Sequence, residues 1–560
     1  MSRPNHRPTV LGLGGSGHDW SAAAMDPTHI AAIDEERLTR KKYGVGSDLL
    51  AGPSRRAVTA QLGTTPEEVD LAVACDLVPP AFSFPVRRKL TVIDHHLAHA
   101  YSTFAGSGFS RAAVLVSDNS GSLVSGTRSG SGPRTAETIS GYVGDESGLH
   151  LVTRIAGEHL FDDPAGGYYQ PGSTNNSLGH FYRSVSIACG LAYQGPAGTH
   201  EISEDGKTMG LASYGDLRFV DALAALVDLG PGGEVRIDAR AVDRTCAALA
   251  AEGGFETRAA LARAAQEVLE RAMVHVARDL HARTGARDLC LAGGTALNSV
   301  ANGRILRDTP FERLFVVPAA GDNGISLGAA YYGLHTGMGV PMRKLPSLTN
   351  AYLGPDHGHA AAEAAIAESG LPCARPDDLP GTVADLLADG RTIGWFDGRS
   401  EFGPRALGHR SILSAPYPAA VRDHLNDNVK YREWFRPYAP VIREERAPEY
   451  FDVDAPTPYM LVVAGVRRPD AVPAVTHVDG TARLQTLAHD MNPALYDLLG
   501  EFDARTGCPV LLNTSFNVAG EPIVETPEEA VAAFAHMNLD HLVVDGRHLL
   551  SRSSTRLATA

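Results

Sequence analysis

The sequence predicts a two-domain α/β protein, and three observations support this prediction. Its 560 residues exceed the roughly 250–300 residues at which one hydrophobic core stops growing. Apolar runs that end in glycine turns are interleaved with helix-like runs, a pattern typical of α/β proteins. Glycine and proline without periodicity over residues 337–346 predict a linker, so we place two domains at 1–345 and 346–560.

The N-terminal domain contains the same predicted arrangement twice. A strand that runs into a glycine turn over Thr9–Gly17 is followed by returning strands over Ser21–Ala24 and Ile30–Ile33, and the strand and turn recur over Ala112–Gly121. Taken alone, a glycine-rich loop is more often a plain hairpin turn than a phosphate loop. A duplicated β-meander with later helices is the layout of the actin-like ATPase fold, so the repeat predicts two similar lobes around a nucleotide cleft.

The remaining elements are predicted from periodicity and from the residues that end each run. They are a short buried strand over Leu90–Ile93, helices over Gly172–Leu191, Thr257–Thr284, Ile325–Leu334, His359–Ser369 and Pro380–Asp389, a strand over Thr392–Phe396, and a polar turn over Glu204–Ala212 that leads into an apolar segment.

Composition restricts the classes of function. The formal net charge of −15 does not favour a nucleic-acid or anionic-membrane partner. The six cysteines contain no CxxC pair, which argues against a zinc ribbon and a disulfide scaffold and fits a reducing compartment. No signal-peptide pattern and no long apolar run is present, so we expect a cytoplasmic protein.

Two histidines four residues apart predict a metal site. His95 and His99 stand at the predicted start of a helix, where residues i and i+4 lie on one face. A lone HxxxH is more often structural than metal-binding, but Asp118 and Asp322 each follow a predicted strand in a glycine-containing turn. Two imidazoles and two carboxylates form a plausible shell for a divalent metal ion.

Two adjacent glycines predict an anion docking point. Asp288–Asn298 is predicted as a strand, two glycines and a helix start, and the free N–H groups of a helix N-terminus favour phosphate. Tight packing between strand and helix explains the same pattern equally well.

The C-terminal domain contains a cationic cluster in an otherwise acidic chain. Arginine and lysine are concentrated around glycine and proline over Gly398–Ser411 and Asn428–Pro437. The arginine fork binds two phosphate or carboxylate oxygens at once. The alternative is a set of surface ion pairs, but four interleaved apolar residues are expected to bury these side chains: Phe402, Leu407, Trp434 and Phe435.

Together these motifs resemble the carbamoyltransferase family that includes nebramycin 5′ synthetase and the nodulation carbamoyltransferases. The resemblance rests on six blocks in one order: Gly17–Ala22, Glu35–Lys42, His95–Ala100, Gly293–Asn298, Glu401–Gly408 and His477–Arg483. It implies an N-terminal Kae1-like ATPase domain and a C-terminal YrdC-like domain. It also implies that carbamoyl phosphate and ATP give carbamoyl-adenylate and pyrophosphate, and that the carbamoyl group then passes to an acceptor hydroxyl.

The resemblance assigns residues to roles, by their positions in this sequence. The carbamoyl phosphate positions are Arg405, Lys430 and Arg436, with Arg483 and Ser515 alongside. The metal positions are His95, His99, Asp118 and Asp322, and the nucleotide positions are Asn119, Gly121, Lys207, Gly293, Gly294 and Asn298. His18 matches a histidine beside the transferred group and is expected to accept the proton of the acceptor hydroxyl, and Asp205 is a further catalytic match. His409 departs from the family pattern of Gly-Asn-Arg.

The implied cofactors are ATP and a divalent metal ion. Fe(II) is implied by the resemblance, with Mn(II), Zn(II) and Mg(II) as alternatives, because nitrogen and oxygen ligands do not select one metal. The implied partners are carbamoyl phosphate and a hydroxylated small molecule, either a macrolide, an ansamycin or an aminoglycoside, with neither nucleic acid nor membrane, and a homodimer is one expectation. The alternative function is carbamoyl-dependent modification of tRNA or of a maturation-partner protein; a non-enzymatic actin-like scaffold would not need the cationic cluster.

Overall fold

The structure is a computed structural model, and it describes residues 7–125, 134–160, 173–195 and 201–552. Residue contacts divide the chain into two compact units, Met1–Leu348 and Thr349–Ala560. The segment predicted as a linker, 337–346, lies immediately before this division. The assignment of the units to the Kae1-like and YrdC-like folds stays a prediction.

The N-terminal unit is built, in its described residues, from two large sheets, two sheets of two strands each, and helices. Its strands in the described residues are β1 (Val10–Gly14), β2 (Ser21–Met25), β3 (Ile30–Asp34), β4 (Leu71–Cys75), β5 (Leu90–Ile93), β6 (Ala112–Ser117), β7 (Leu123–Ser125), β8 (Thr135–Asp145), β9 (Gly148–Leu160), β10 (Ser173–Thr174), β11 (Ala192–Gln194), β12 (Glu201–Ser203), β13 (Val227–Leu229), β14 (Val235–Ile237), β15 (Asp288–Ala292) and β16 (Arg313–Val316). Its helices are α1 (Glu35–Thr39), α2 (Pro53–Gln61), α3 (Pro80–Ser83), α4 (His95–Ser107), α5 (Leu178–Ala188), α6 (Asp205–Ala212), α7 (Val220–Ala224), α8 (Ala239–Ala250), α9 (Phe255–Thr284), α10 (Ser299–Asp308) and α11 (Ile325–Tyr332).

The two large sheets have the same strand order, which confirms the predicted duplication of the β-meander. In the first sheet the order is β3-β2-β1-β4-β5, and in the second β9-β8-β6-β15-β16 forms the corresponding path. In each, three antiparallel strands are followed by two strands parallel to the first. Helix α11 packs on the first sheet, α4 packs on the second, and the two helices pack on each other. The helix that carries the paired histidines is therefore held at the middle of this unit.

The C-terminal unit contains one large mixed sheet with helices on it. Its strands are β17 (Cys373–Ala374), β18 (Ile393–Phe396), β19 (Arg410–Ser414), β20 (Ala439–Arg443), β21 (Phe451–Asp452), β22 (Val463–Val466), β23 (Thr481–Arg483), β24 (Gln485–Leu487), β25 (Val510–Ser515), β26 (His541–Val544) and β27 (His548–Ser551). Its helices are α12 (Gly358–Ser369), α13 (Leu379–Ala388), α14 (Ala420–His424), α15 (Ala447–Tyr450), α16 (Pro493–Thr506) and α17 (Pro527–His536), and a π-helical turn spans Leu425–Lys430. The large sheet has the order β17-β27-β26-β18-β19-β25-β20-β24. Its core includes Trp395, Phe502, Phe516 and Phe534.

Four local predictions need correction or adjustment. Strand β5 is not buried, because Thr91 and Val92 on this edge strand are exposed. Residues 205–212 form α6 rather than a turn, because this segment packs against α9, which outweighs the low helix propensity of Gly206. The helix predicted over 172–191 is α5, which is shorter, and Gly172 lies outside the described residues.

The fourth correction concerns the double glycine, Gly293–Gly294, which is predicted to lead directly into a helix. A 3₁₀ turn follows it over Gly294–Leu297, and α10 begins only at Ser299, with Asn298 as its N-cap.

None of the helices in the described ranges combines the length and apolar character needed to cross a bilayer.

Candidate functional site

The four predicted metal ligands come together in the N-terminal unit. Nε2 of His95 lies 3.0 Å from Oδ2 of Asp118 and 3.6 Å from Oδ1 of Asp322. Nε2 of His99 lies 3.4 Å from the same oxygen of Asp118 and 3.5 Å from the same oxygen of Asp322. One ligand atom from each residue thus lies within 4.8 Å of every other.

The fold explains why residues so distant in sequence meet. Helix α4 places His95 and His99 one turn apart, with ring centroids separated by 4.8 Å. Asp118 directly follows β6, and Asp322 lies in the turn between β16 and α11. Because β6, β15 and β16 are parallel, their carboxyl ends meet at one edge of the sheet, where α/β proteins place ligands.

Neighbouring groups hold these ligands in place. Oδ1 of Asp118 accepts hydrogen bonds from the backbone N–H groups of Asn119 (2.9 Å) and Gly294 (3.2 Å), which leaves Oδ2 for the histidines. The hydroxyl of Ser16 donates to Oδ2 of Asp322, and Nδ1 of His95 lies 3.6 Å from Sγ of Cys75. Such outer contacts fix the orientation of metal ligands.

In this cluster of four residues, the positive charges of the protonated imidazoles and the negative charges of the carboxylates stabilise each other. Burial acts to lower the pKa of His95, but the hydrogen bond to Asp118 and the nearby Cys75 and Asp322 outweigh it, so the pKa is well above its ordinary value. Burial acts to raise the pKa of Asp118, but the hydrogen bond to His95 and the nearby imidazole of His99 hold it well below its usual range. A divalent cation would replace two imidazole protons without a change in total charge.

The residues fit a bound metal ion. Both ring nitrogens of His99 are buried and, among the described residues, have no hydrogen-bond partner of normal geometry. A buried polar atom without a partner costs free energy that a ligand can offset. The donor set of two imidazole nitrogens and two carboxylate oxygens suits Fe(II), Mn(II) or Zn(II).

His18 lies close enough to this cluster for the charges of Asp322 and Asp118 to affect it. Burial acts to lower the pKa of His18, but Asp19, whose carboxylate lies 3.0 Å from Nδ1, and these two aspartates raise it to about 9. The free protein therefore holds His18 protonated at neutral pH. The proton-accepting role that the resemblance implies for this residue stays a prediction.

Asp205 begins α6 and interacts electrostatically with His18. Its Oδ1 accepts a hydrogen bond of 2.7 Å from Ser186, whose hydroxyl in turn accepts one of 2.7 Å from Thr208. Burial raises the pKa of Asp205, and hydrogen bonds and the charge on His18 offset the increase only in part.

The predicted nucleotide residues divide into two groups. Gly294 and Asn119 contact Asp118 directly, Gly293 and Gly121 lie in the adjoining turns, and Oδ1 of Asn119 is buried without a hydrogen-bond partner among the described residues. The remaining two nucleotide candidates, Asn298 and Lys207, form contacts within the protein.

The side chain of Asn298 caps α10 and bonds Gln266, and Nζ of Lys207 lies 2.6 Å from Oε2 of Glu204. Structural contacts of this kind leave Asn298 few hydrogen-bonding groups for a nucleotide.

In the C-terminal unit, the predicted cations interact with one another, and one of them, Arg436, has a carboxylate partner, because its Nη1 lies 3.5 Å from Oε2 of Glu433. Nζ of Lys430 is buried and donates to backbone oxygens of Ser515 (2.6 Å) and Asn517 (2.8 Å) and to Oδ1 of Asn517 (2.6 Å). Burial and then Arg432 and Arg436 lower the pKa of Lys430 well below its ordinary value. None of these acceptors is a carboxylate, so the lysine charge is not neutralised.

Arg483 has the same kind of environment. Burial and then Arg405, Arg432 and Arg436 lower its pKa well below the ordinary value for a guanidinium. Nε of Arg483 is buried without a hydrogen-bond partner among the described residues, and no carboxylate of that part of the chain forms an ion pair with it. Buried charges are normally paired, so this cluster is suited to binding an anion.

The loop that carries Arg405 is fixed by a buried carboxylate. Oε1 of Glu401 accepts hydrogen bonds from the backbone N–H groups of Leu407 (2.7 Å), His409 (2.8 Å) and Arg410 (3.3 Å). The ring of His409 stacks on Tyr352 at 3.6 Å and its Nδ1 lies 2.6 Å from the carbonyl oxygen of Arg399. His409 therefore has a structural role in this loop, and it leaves the arginines around it in place.

One predicted feature of the cluster is wrong, and one member was missed. Trp434 does not bury these cations, because its side chain is 56% exposed. Arg432 was not selected from the sequence, yet its guanidinium lies over the ring of Tyr438 at 4.0 Å, and burial lowers its pKa to about 10. Its position between Lys430 and Arg436 was the available signal.

Two family models match this chain. The carbamoyltransferase N-terminus family model matches residues 83–331, and the carbamoyltransferase C-terminus model matches residues 384–551. The uncharacterized protein sll1178 of Synechocystis sp. is 32% identical, over 96% of this chain and 95% of its own length.

Two nodulation proteins are also similar. NolO of Bradyrhizobium diazoefficiens is 38% identical over 81% of this chain and 78% of its own length. NolNO of Sinorhizobium fredii is 37% identical over 96% of this chain and 79% of its own length. This chain therefore belongs to the carbamoyltransferase family and is a carbamoyltransferase.

Proposed function

We propose that this protein is an ATP-dependent O-carbamoyltransferase that acts on a secondary metabolite of the macrolide, ansamycin or aminoglycoside class. The observation that supports this most strongly is a pair of cations, the buried Lys430 and the half-buried Arg483, that have no carboxylate partner among the described residues. A protein tolerates such charges where a bound anion neutralises them.

Carbamoyl phosphate is the anion we assign to this cluster, with Arg405, Lys430, Arg436 and Arg483 as the cations that hold it. Charge-assisted hydrogen bonds to phosphate are strongest where water is excluded, and Lys430 is buried while Arg483 is half-buried. Ser515 adds a hydroxyl whose oxygen lies 3.4 Å from Nζ of Lys430.

The activation step must balance in atoms. Water cleaves carbamoyl phosphate into carbamate and phosphate, and a carbamate oxygen then attacks the α-phosphorus of ATP. The bond to the β-phosphate breaks, so the products are carbamoyl-adenylate and pyrophosphate. The cations would stabilise negative charge that develops on the phosphate oxygens during both displacements.

The N-terminal cluster would serve the transfer step. His95, His99, Asp118 and Asp322 would hold the divalent cation, which when bound supplies positive charge to phosphate oxygens. The side chain of Asn119, whose Oδ1 is buried without a hydrogen-bond partner among the described residues, adjoins these ligands and is the nucleotide contact that we propose, with Gly293 and Gly294 in the adjoining turn.

Transfer requires a proton acceptor at the acceptor hydroxyl. Its oxygen attacks the carbonyl carbon of the adenylate, the bond between that carbon and the AMP oxygen breaks, and AMP leaves with the electron pair. We assign the proton to Asp205, because burial raises the pKa of this carboxylate and makes it a stronger base than an exposed one. His18, with a pKa of about 9, would donate a hydrogen bond to the group being transferred.

The activation step can be tested by pyrophosphate release that requires both ATP and carbamoyl phosphate. We expect Lys430→Met to lower its rate by about 100-fold or more, the range seen when one donor to a developing charge is removed. Arg375→Met is the matched control, since this exposed arginine pairs with Glu363 in the same unit. Pyrophosphate release that needs no carbamoyl phosphate, or equal rates in both variants, would contradict the proposal.

The acceptor can be sought by mass spectrometry of hydroxylated natural products incubated with ATP, carbamoyl phosphate and the protein. We expect addition of one carbamoyl group to a member of one of the proposed classes. If only a tRNA or a protein gained the group, the small-molecule acceptor would be wrong while the activation step would stand.

A further inference from the structure

The carboxylate of Glu137 joins the two segments that carry metal-ligand candidates. Glu137 lies on β8, and its side chain is completely buried. Oε1 accepts hydrogen bonds from the backbone N–H of His96 (3.1 Å) and from that of Ser122 (3.2 Å). The first N–H belongs to the start of α4, and the second belongs to the turn that follows Asp118.

This carboxylate replaces the expected helix cap. Asp94 precedes α4 but its side chain makes no capping hydrogen bond. The N–H of His95 donates instead to the hydroxyl of Ser122 (2.7 Å), and the N–H of His96 donates to Glu137. Free N–H groups at a helix N-terminus need such acceptors, so the position of α4 depends on the 121–122 turn and on β8.

The packing around the carboxylate leaves little freedom. A Cβ atom at Gly121 would lie 2.7 Å from Cγ of Glu137 and 2.7 Å from Cδ2 of His96. The backbone of Glu137 also pairs with the turn, through Gly121 N–H to Glu137 carbonyl (2.7 Å) and Glu137 N–H to Ser122 carbonyl (3.0 Å). The backbone bonds fix the turn against β8, and the side chain adds the link to the helix.

We propose that Glu137 is a positioning residue for the metal site: its carboxylate sets the distance between α4, which carries His95 and His99, and the segment that carries Asp118. Metal affinity depends on ligand geometry within a few tenths of an ångström, so loss of this link weakens binding although no ligand is removed. This inference rests on the metal site proposed above.

The test is calorimetric titration of the full chain, freed of metal, with Mn(II) alone. Glu137→Ala is expected to raise the Kd for Mn(II) by about 10- to 100-fold, the effect typical of residues that orient metal ligands. Glu137→Asp keeps the charge but withdraws the carboxylate from the N–H of His96, so the same direction is expected in a variant with nearly native packing. Arg154→Gln is the matched control. Nε of Arg154 lies 3.2 Å from the other oxygen of Glu137 and Nη2 lies 3.8 Å from Asp94, so this variant removes a charge beside the carboxylate but keeps the bond from the N–H of His96 to Glu137.

The possible results distinguish a failure of this inference from a failure of the proposed metal site. Wild-type affinity in a folded Glu137→Ala or Glu137→Asp variant overturns the inference, as does an equal loss in Arg154→Gln. If Glu137→Ala does not fold, Glu137→Asp decides. A wild-type protein that binds no Mn(II), or a His99→Ala variant that binds it as well as the wild type, overturns the metal site itself.

Discussion

Arg483 is a half-buried cation whose pKa is affected by the charges of other cations, and this suggests a conflict between stability and binding. Because its pKa is held well below the ordinary value, the folded state disfavours its charged form. We expect Arg483→Met to leave the stability of the free protein unchanged or to raise it by about 1 kcal/mol, as when buried charges are replaced by apolar groups. Thermal unfolding in a buffer without phosphate measures this.

The same variant should lose its response to anions. Pyrophosphate is expected to raise the unfolding temperature of the wild type but not that of Arg483→Met, since a ligand stabilises only the state that binds it. Arg505→Met is the comparison, because Arg505 pairs with Asp385 and Glu501 and its loss should not affect the response. A clear destabilisation of Arg483→Met in the absence of anion would show that the cation has a structural partner.

For single residues, helix geometry made the candidate metal ligands predictable from the sequence. The separation of His95 and His99 by one turn follows from the helix alone, and Asp118 and Asp322 were found because each lies in a glycine-containing turn that follows a strand. The cationic segment was predicted less well, because Tyr431 has a left-handed backbone conformation (φ 47°) that a non-glycine residue rarely adopts. The directions of Arg432 and Trp434, which follow it, could not be read from spacing.

Helices α4 and α11 approach each other so closely that one position requires glycine. A Cβ atom at Gly328 would lie 1.7 Å from the backbone oxygen of Ala98 and 2.9 Å from the backbone nitrogen of Ser102. Gly328→Ala must therefore separate the helices, and we expect a destabilisation of about 1–3 kcal/mol or more. The separation would also move His99 from Asp322, so weaker Mn(II) binding is expected in the same variant.

Thermal unfolding and Mn(II) titration measure the two effects. Gly206→Ala in α6 is the control, because a Cβ atom there meets nothing within 4 Å, and alanine favours a helix by up to about 1 kcal/mol over glycine. Native stability in Gly328→Ala would mean that the helices are not packed as closely as described.

Periodicity in the sequence identified the long helices, but it missed the helices and strands that depend on tertiary contacts. The helix predicted over Thr257–Thr284 is α9, which begins two residues earlier, and β1, β2 and β3 are as expected. Helix α6 was missed because packing against α9 stabilises it. Strand β5 was expected to be buried because its residues are apolar, but its place at the sheet edge is set by strand order, which no local pattern contains.

For the whole molecule, the acidic net charge and the cationic cluster have to be considered together. A chain with a net charge of −15 repels anionic substrates at long range. Attraction must then come from local cations in a partly dry site, where charges interact more strongly than at the surface. This is consistent with Lys430 being buried and Arg483 half-buried rather than fully exposed.

The division into two compact units allows the anion site to be tested separately. All of its proposed residues, Arg405, Lys430, Arg436, Arg483 and Ser515, lie in the unit Thr349–Ala560, whose large sheet and hydrophobic core are formed by residues of that unit. A unit with its own core can fold alone, so we expect a 349–560 fragment to unfold cooperatively.

We also expect this fragment to bind pyrophosphate with the affinity of the full chain, as measured by calorimetry, and to bind no Mn(II) at a histidine site. A fragment with Lys430→Met provides the control, because it should keep the fold and lose the binding. If the folded fragment failed to bind pyrophosphate while the full chain bound it, residues 349–560 would not be sufficient for the anion site, and the cations would have to be assigned a different role.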